Sequence, residues 1–261
     1  SELIRKIYST VETPENWESV LSDINQHLHS AKGMIKIMRG ERMLGFFHQG
    51  FEDQDFASYA QDFHQKCVWS HSLMRHAPNQ FYASHYVHPD REFLKSEVYN
   101  EYWRLQDIRN AAGSIISEPH SDFAAQIAFG RGHRQADYDS NSITNLNHLL
   151  PHIRQSLSLS QNTLALTERN KMLEATLDSL NGAAFACSAS SKVEYYNRAG
   201  QRLLERGNLF CPIYQDRQLK FRAKAHQEHF NDLVTKCLAS IDLPEERSSQ
   251  HSLILQSQGR S

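Results

Sequence analysis

Histidine is the residue this sequence supplies most freely for chemistry, with 15 in 261 residues. His148 and His152 lie four apart in a stretch of helical spacing, so both rings share one face, as in a two-histidine metal pair. His226 and His229 are three apart, and His85 and His88 fall in an aromatic segment with His71 and His76. No third and fourth ligand follows at motif spacing, so packing or capping explains the His148/His152 pair better than a metal, the histidines of the aromatic segment read as exposed loop or ligand contacts, and neither metal nor cofactor is expected. Nucleophilic chemistry finds no support either. There is no G-x-S-x-G, and no cysteine stands beside a recognisable base. GRGHRQAD, at 130–137, departs from G-x-G-x-x-G and does not open a helix, so it is no phosphate cradle. The chain is therefore expected not to be an enzyme.

Aromatic surface is what the sequence does concentrate. Trp69, Phe81, Tyr82, Tyr86, Phe93, Tyr99, Tyr102 and Trp103 crowd one stretch. A concave site lined by aromatics with a few polar groups suits a small organic molecule. Phe93 and Tyr102 lie on the apolar stripe of an expected helix and read as ordinary core, whereas Tyr99 and Trp103 lie on the neighbouring stripe. The candidate ligand contacts are Trp69, His71, Tyr82, Tyr86, Tyr99 and Trp103. Further along, Phe185, Tyr195, Asn197 and Phe210 could line a second cavity, although Asn197 is better explained as fixing a strand-to-helix turn.

The elements that must position these groups follow from periodicity. Trp17, Val20, Leu21, Ile24 and Leu28 predict a helix over 14–29, with Thr13 as its cap and Pro14 in its first turn. KGMIKIMRG and RMLGFFHQG read as two strands joined about Arg39-Gly40-Glu41. Phe56, Tyr59, Ala60 and Phe63 predict an amphipathic helix over 52–66. Cys67 to Pro89 reads as irregular, and a helix capped by Asp90 is expected over 90–106. AAGSIIS and FAAQIAFGRG are two more strands, joined by Glu118-Pro119-His120-Ser121-Asp122. Antiparallel strands with helices on one side make an α+β, GAF-like sensor domain over residues 1–148. After Leu180 the order strand, turn, strand, helix, then a short strand, a helix and a strand in SQHSLILQS predicts a PAS-like α+β domain over 181–261.

Residues 149–180 connect the two. Leu146, Leu150, Ile153 and Leu157 keep helical spacing straight through Pro151, so one helix bent near the proline is favoured over two. Leu150, Leu157 and Leu164 form one row at intervals of seven. Leu159, Leu166, Leu173 and Leu180 form another, shifted by two positions, or about 200° around the helix. The first row suits the first domain. The second is the candidate dimerisation face, seven being the coiled-coil period.

Three segments, in order, resemble the N-terminal sensor region of LuxR-type helix-turn-helix transcription regulators. SEVYNEYWRLQDIR is similar to a helix-and-turn signature of that region, LNHLLPHIRQSLSL to the start of the connecting helix, and LEATLDSLNGAAFACSASSKVEYYNRAGQRLL to the PAS-like opening. The resemblance implies a bacterial regulator that answers an unknown small-molecule effector, forms a homodimer, and touches DNA only through a C-terminal domain beyond Ser261. The end of the sequence, which stops without a closing element, suggests that the natural chain continues. Composition fits. Apolar residues make up 39%, enough for a core, and a net charge of −2 leaves no dominant basic face for DNA. No apolar run approaches a membrane span and no signal peptide is visible, so no membrane partner is expected. Cys67, Cys187, Cys211 and Cys237 are too scattered for disulfides or zinc, which suits the cytoplasm. The rival readings are a ligand-free dimerisation scaffold and the input region of a signalling enzyme.

Overall fold

The computed structural model describes residues 2–118, 121–188, 190–211 and 217–241. The strand expected in SQHSLILQS, in the region expected to be PAS-like, lies outside them, as do Pro119 and His120. Two units are distinguished, Ser1–Ala165 and Leu166–Ser261.

The first unit opens with helices α1 (Glu2–Ser9) and α2 (Asn16–Leu28). The expected stripe of α2 is buried in full, Trp17 through Leu28. Its entrance differs from expectation. Thr13 does not cap it: the Thr13 carbonyl accepts from the Asn16 N–H and the Pro14 carbonyl from the Trp17 N–H, so a tight turn leads in and Glu15 sits at the cap without a side-chain bond. Strands β1 (Lys32–Arg39) and β2 (Arg42–Gln49) then pair as the expected hairpin about Gly40, whose φ of 54° favours glycine.

The segment that follows is more broken than its periodicity suggested. Helix α3 (Asp53–Ser58) runs into a π turn at Tyr59–Phe63 and a 3-10 turn at His64–Lys66. The stretch expected to be irregular holds α4 (Val68–Leu73), a short strand β3 (Tyr82–Ala83) and α5 (Ser84–Val87), elements too brief to show a period. The single helix expected over 90–106 is instead α6 (Asp90–Phe93), a turn, and a second π turn at Tyr99–Trp103. Ser96 makes the break. Its hydroxyl donates to the Phe93 carbonyl at 2.6 Å and accepts from the Tyr99 N–H at 3.2 Å, competing with helix bonds. Asp90 is not the cap either, since Pro89 holds that position and the Asp90 carboxylate pairs with Arg109 at 2.9 Å.

Strands β4 (Asn110–Ser117) and β5 (Phe123–Arg131) complete an antiparallel sheet in the order β2-β1-β5-β4-β3, and helix α7 (Ser140–Asp178) follows. Alternation along the strands gives the sheet two apolar faces. Ile35, Ile37, Ala112, Ile116, Phe123, Ala125 and Ile127 face a core shared with α1, α2 and the first turns of α7. Met34 on the opposite face joins a second, aromatic core built from the α3–α6 segment. Helices therefore cover both sides of the sheet rather than one. The reason is that the second face, though it carries Lys32, Lys36 and Gln126, also presents Met34, Ala128 and Gly130, which the aromatic segment can cover.

Helix α7 is one helix with Pro151 inside it. Leu146, Leu150, Ile153 and Leu157 are buried in the first core, and Ser156 anchors them, its hydroxyl donating to the Ile7 carbonyl at 2.8 Å and meeting the Thr10 hydroxyl at 2.7 Å. Of the second leucine row, Leu159 is 37% exposed and Leu166 61%, with Leu173 and Leu180 about half exposed.

In the second unit β6 (Phe185–Cys187) and β7 (Val193–Tyr196) form a hairpin, followed by α8 (Arg198–Arg206) and α9 (Lys224–Ile241). Val193, Phe210, Leu219 and Phe221 make a small core, closed by a bridge between Phe210 and Phe221. Asn197 holds the hairpin to the helices, as its place in the sequence suggested. Its carbonyl oxygen accepts from the N–H groups of Ala184 (2.9 Å) and Gly200 (2.8 Å), and its amide donates to the carbonyls of Leu177 (2.8 Å) and Gly182 (2.9 Å).

Candidate functional site

A cavity of about 50 Å³, open to solvent at its mouth, lies in the first unit between the sheet and the α3–α6 segment. Its floor exists because the strands there carry almost no side chain. Ala111 and Gly113 alternate on β4, and Ala128 and Gly130 on β5. Met34 lies beside Ala128 across the β1–β5 pairing, with Gly113 on its other side. The roof is aromatic. Tyr59, Trp69 and Trp103 all line it, with ring centroids 4.8 Å apart for Tyr59 and Trp103 and 6.1 Å for Trp69 and Trp103. Two features of the backbone place those rings. One π turn begins at Tyr59 and the other ends at Trp103, and each inserts a residue into the helical repeat, so that the side chains after Tyr59 and Tyr99 depart from straight-helix positions. Stacking on Phe93, at 3.7 Å between centroids, fixes Trp69.

The polar groups in this wall are few. The indole N–H groups of Trp69 and Trp103 are buried and have no hydrogen-bond partner among the described residues. Burial, first, and then the neighbouring Cys67 thiol hold the Tyr59 phenol protonated far above its ordinary range, and its hydroxyl meets both Cys67 and Ser70. Gln126 donates its amide to the Ser70 hydroxyl at 2.8 Å. At the edge Lys32 gives a hydrogen bond to Gln106 and lies 4.6 Å from the centre of the Phe51 ring. Burial lowers its pKa, against the opposing influence of Asp55, Asp107 and Glu52. The wall carries donors and apolar surface and no carboxylate.

Of the six residues singled out from sequence, Trp69, Tyr82 and Trp103 line this cavity. His71 lines an adjoining one. Tyr86 stands away from both, 70% exposed, with its ring 4.1 Å from that of His85. Tyr99 is buried among the aromatics, its hydroxyl 2.8 Å from His133 Nε2, whose Nδ1 is 2.7 Å from Asp107. Burial and structural partners account for several other histidines. His88 bonds the Ser72 hydroxyl, His76 the Ser72 carbonyl, His85 pairs with Asp137 at 2.6 Å, and His152 faces the Tyr8 hydroxyl at 3.3 Å. Among the described residues no cluster of three or more metal-ligating side chains occurs. In the second unit Phe185 and Phe210 pack on each other at 5.4 Å, and the Tyr195 hydroxyl donates to the Glu174 carbonyl.

Sequence reasoning passed over the floor. Small residues at 111, 113, 128 and 130 are the other half of the cavity, and their signal was Ala and Gly two apart at 111 and 113 on one strand and again at 128 and 130 on the next. It also passed over Cys67, Ser70 and Gln126, whose roles depend on the turn that brings α4 over the sheet.

No family model matches the chain, and no curated protein matches it. Solved structures do. The VqsR ligand-binding (LBD) domain from Pseudomonas aeruginosa is similar over 62% of this chain and 95% of its own, at 14% identity and a TM-score of 0.48. The N-acylhomoserine-lactone-dependent LuxR-family transcription factor CepR2 from Burkholderia cenocepacia matches 62% of this chain and 92% of its own, at 8% identity and a TM-score of 0.41. The phycoerythrobilin-bound GAF domain of a cyanobacterial phytochrome matches 62% and 96%, at 6% identity and a TM-score of 0.42. Each overlap is partial, and what bears on function is the cavity itself.

Proposed function

We propose that this chain is the sensory and dimerisation region of a bacterial, cytoplasmic transcription regulator, and that its first unit binds a small, largely apolar organic molecule. The observation that carries the reading is the space between a floor of alanine and glycine and a roof of Tyr59, Trp69 and Trp103, with two buried indole N–H groups in that roof that have no partner among the described residues. A buried donor without an acceptor costs about 1–3 kcal/mol, so a wall that keeps two of them is better suited to an acceptor-bearing ligand than to permanent emptiness. The regulatory role is supported by the three sequence segments that resemble LuxR-type regulators. It is not an enzyme on this reading, because the wall offers donors and apolar surface without a nucleophile–base pair.

Transmission runs through the sheet. On β5 the residues that floor the cavity, Gln126 and Ala128, alternate with Ile127, which packs in the core that holds Leu150, Ile153 and Leu157 of α7. A ligand that favours one arrangement of that strand biases the helix on its far side. The exposed row Leu159, Leu166, Leu173 and Leu180 supports a homodimer formed through α7, and the second unit is a PAS-like continuation of the same path, leading to a DNA-binding domain.

The binding part is tested with N-phenylnaphthylamine, a neutral apolar dye, followed by competition with a metabolite library. All three tryptophans, Trp17, Trp69 and Trp103, belong to the first unit, so their quenching reports on it alone. Saturable quenching that library members reverse is the expected result. Dye binding that never saturates, or its absence, refutes the sensor reading.

A further inference from the structure

The cavity has a neighbour that changes what the natural ligand must look like. A second space of about 240 Å³, also open to solvent, shares Met34, Tyr59, Ser70 and Gln126 with the first. It adds Lys36, Gln65 and His71 as polar groups, and Phe46 and Met74 as apolar ones. Lys36 lies on the same face of β1 as Lys32 and Met34, about 13 Å from Lys32 at the usual rise of a strand. The two lysines differ in their company. Lys32 has a hydrogen-bond acceptor and acidic neighbours. Lys36 is flanked across the sheet by Phe46 on β2 and Gln126 on β5 and makes no hydrogen bond or ion pair with any described residue. Burial lowers its pKa with no opposing acidic group, which is what an uncompensated, half-buried cation shows. His71 at the same opening is likewise without a side-chain partner among the described residues. Neither wall holds a carboxylate.

Resting on the sensor reading above, we infer that the ligand is a small carboxylic acid, its apolar body under Trp69 and Trp103 and its carboxylate beside Lys36, with the Gln126 amide and the His71 ring within the same opening. An acid satisfies the cation, and the Gln126 amide, the Ser70 hydroxyl and the His71 ring can each donate to its carboxylate. An amine would place a second cation beside Lys36 in a half-buried site, where no counter-charge exists. The competing explanation for Lys36 is that its stem covers Met34 and Phe46 while the ammonium reaches water.

The experiment titrates the whole chain with decanoate and phenylbutyrate, each against its methyl ester and the matching primary amine, and reads tryptophan fluorescence at neutral pH. At least one acid should bind about tenfold to a hundredfold tighter than its ester, the range a charge-assisted hydrogen bond covers, and the amines should bind weakest. In Lys36→Met that preference should vanish by loss of acid affinity while the ester binds as before, which also shows that the variant folds. In Lys32→Met the preference should survive. Esters that match their acids in the wild type, or a Lys36→Met protein that keeps the preference, overturn the acidic ligand and leave the cavity reading standing. If neither acid binds while N-phenylnaphthylamine does, the same conclusion follows. If the dye also fails, it is the sensor reading that falls.

Discussion

Ala128 sits on β5 between Gly113 of β4 and Met34 of β1, its methyl at the floor of the cavity, whereas its chain neighbour Ile127 belongs to the opposite core. Replacing it with leucine adds three carbons to that space. If the space is open, each carbon contributes about 0.8 kcal/mol on leaving water. Less about 0.5–1 kcal/mol of lost rotamer freedom, the net gain is about 1.5 kcal/mol. If the space is in fact filled, the same carbons must displace packed atoms at a cost of about 1–3 kcal/mol. The two cases differ in sign, so modest errors in either magnitude do not matter. Urea unfolding followed by tryptophan fluorescence reads the first unit, and the gain corresponds to a midpoint about 0.5–1 M higher. Ala112→Leu is the control. Ala112 is one residue along β4 from Gly113, is fully buried, and faces the packed core of α1, α2 and α7, so its midpoint should fall. Ala128→Leu should also weaken dye binding. An Ala128→Leu midpoint that falls alongside that of Ala112→Leu refutes the open cavity.

Other expectations are more local. Asn197→Ala strips four backbone groups of their partners and should cost the second unit about 2–4 kcal/mol, seen as faster hydrogen exchange at Ala184 and Gly200 with the first unit unchanged. Tyr102→Phe removes a buried hydroxyl that has no partner among the described residues, and should leave the first unit's stability unchanged or raise it by about 1 kcal/mol; a clear loss in urea unfolding would show that the hydroxyl is satisfied. The double variant Leu166→Glu/Leu173→Glu should sediment as a monomer where the wild type sediments as a dimer, with little change in the thermal stability of the first unit because both side chains are at least half exposed. A monomeric wild type, or a dimeric variant, removes α7 from the interface.

The parts of the fold that were legible in the sequence are those with a long period. Helix α2, the strand pairs β1–β2 and β4–β5, and the packing of Leu150 and Ile153 through Pro151 all follow from apolar spacing sustained over two or more turns or four or more strand residues. The segment between β2 and β4 was not legible, because its helices are four to six residues long and two of its turns are π turns. A single inserted residue shifts every later side chain by about 100° around the axis, which is why a straight-helix reading of 90–106 set Tyr99 and Trp103 on one stripe. In the structure Trp103 reaches the cavity and Tyr99 turns to His133. Aromatic density pointed to the right stretch of chain, yet only the register of β4 against β5 shows that alanines and glycines meet beneath it.

The central claim is that the space between sheet and aromatic roof is a real binding site, and methyl-labelled nuclear magnetic resonance tests it most directly. Met34, Leu73 and Ile108 line the cavity, whereas Ile7, Ile24 and Ile153 lie in the core on the other side of the sheet. On saturation with N-phenylnaphthylamine the first three methyl sets should shift strongly and the second three weakly. Shifts spread equally over both sets, or confined to the exposed leucines of α7, would contradict the account.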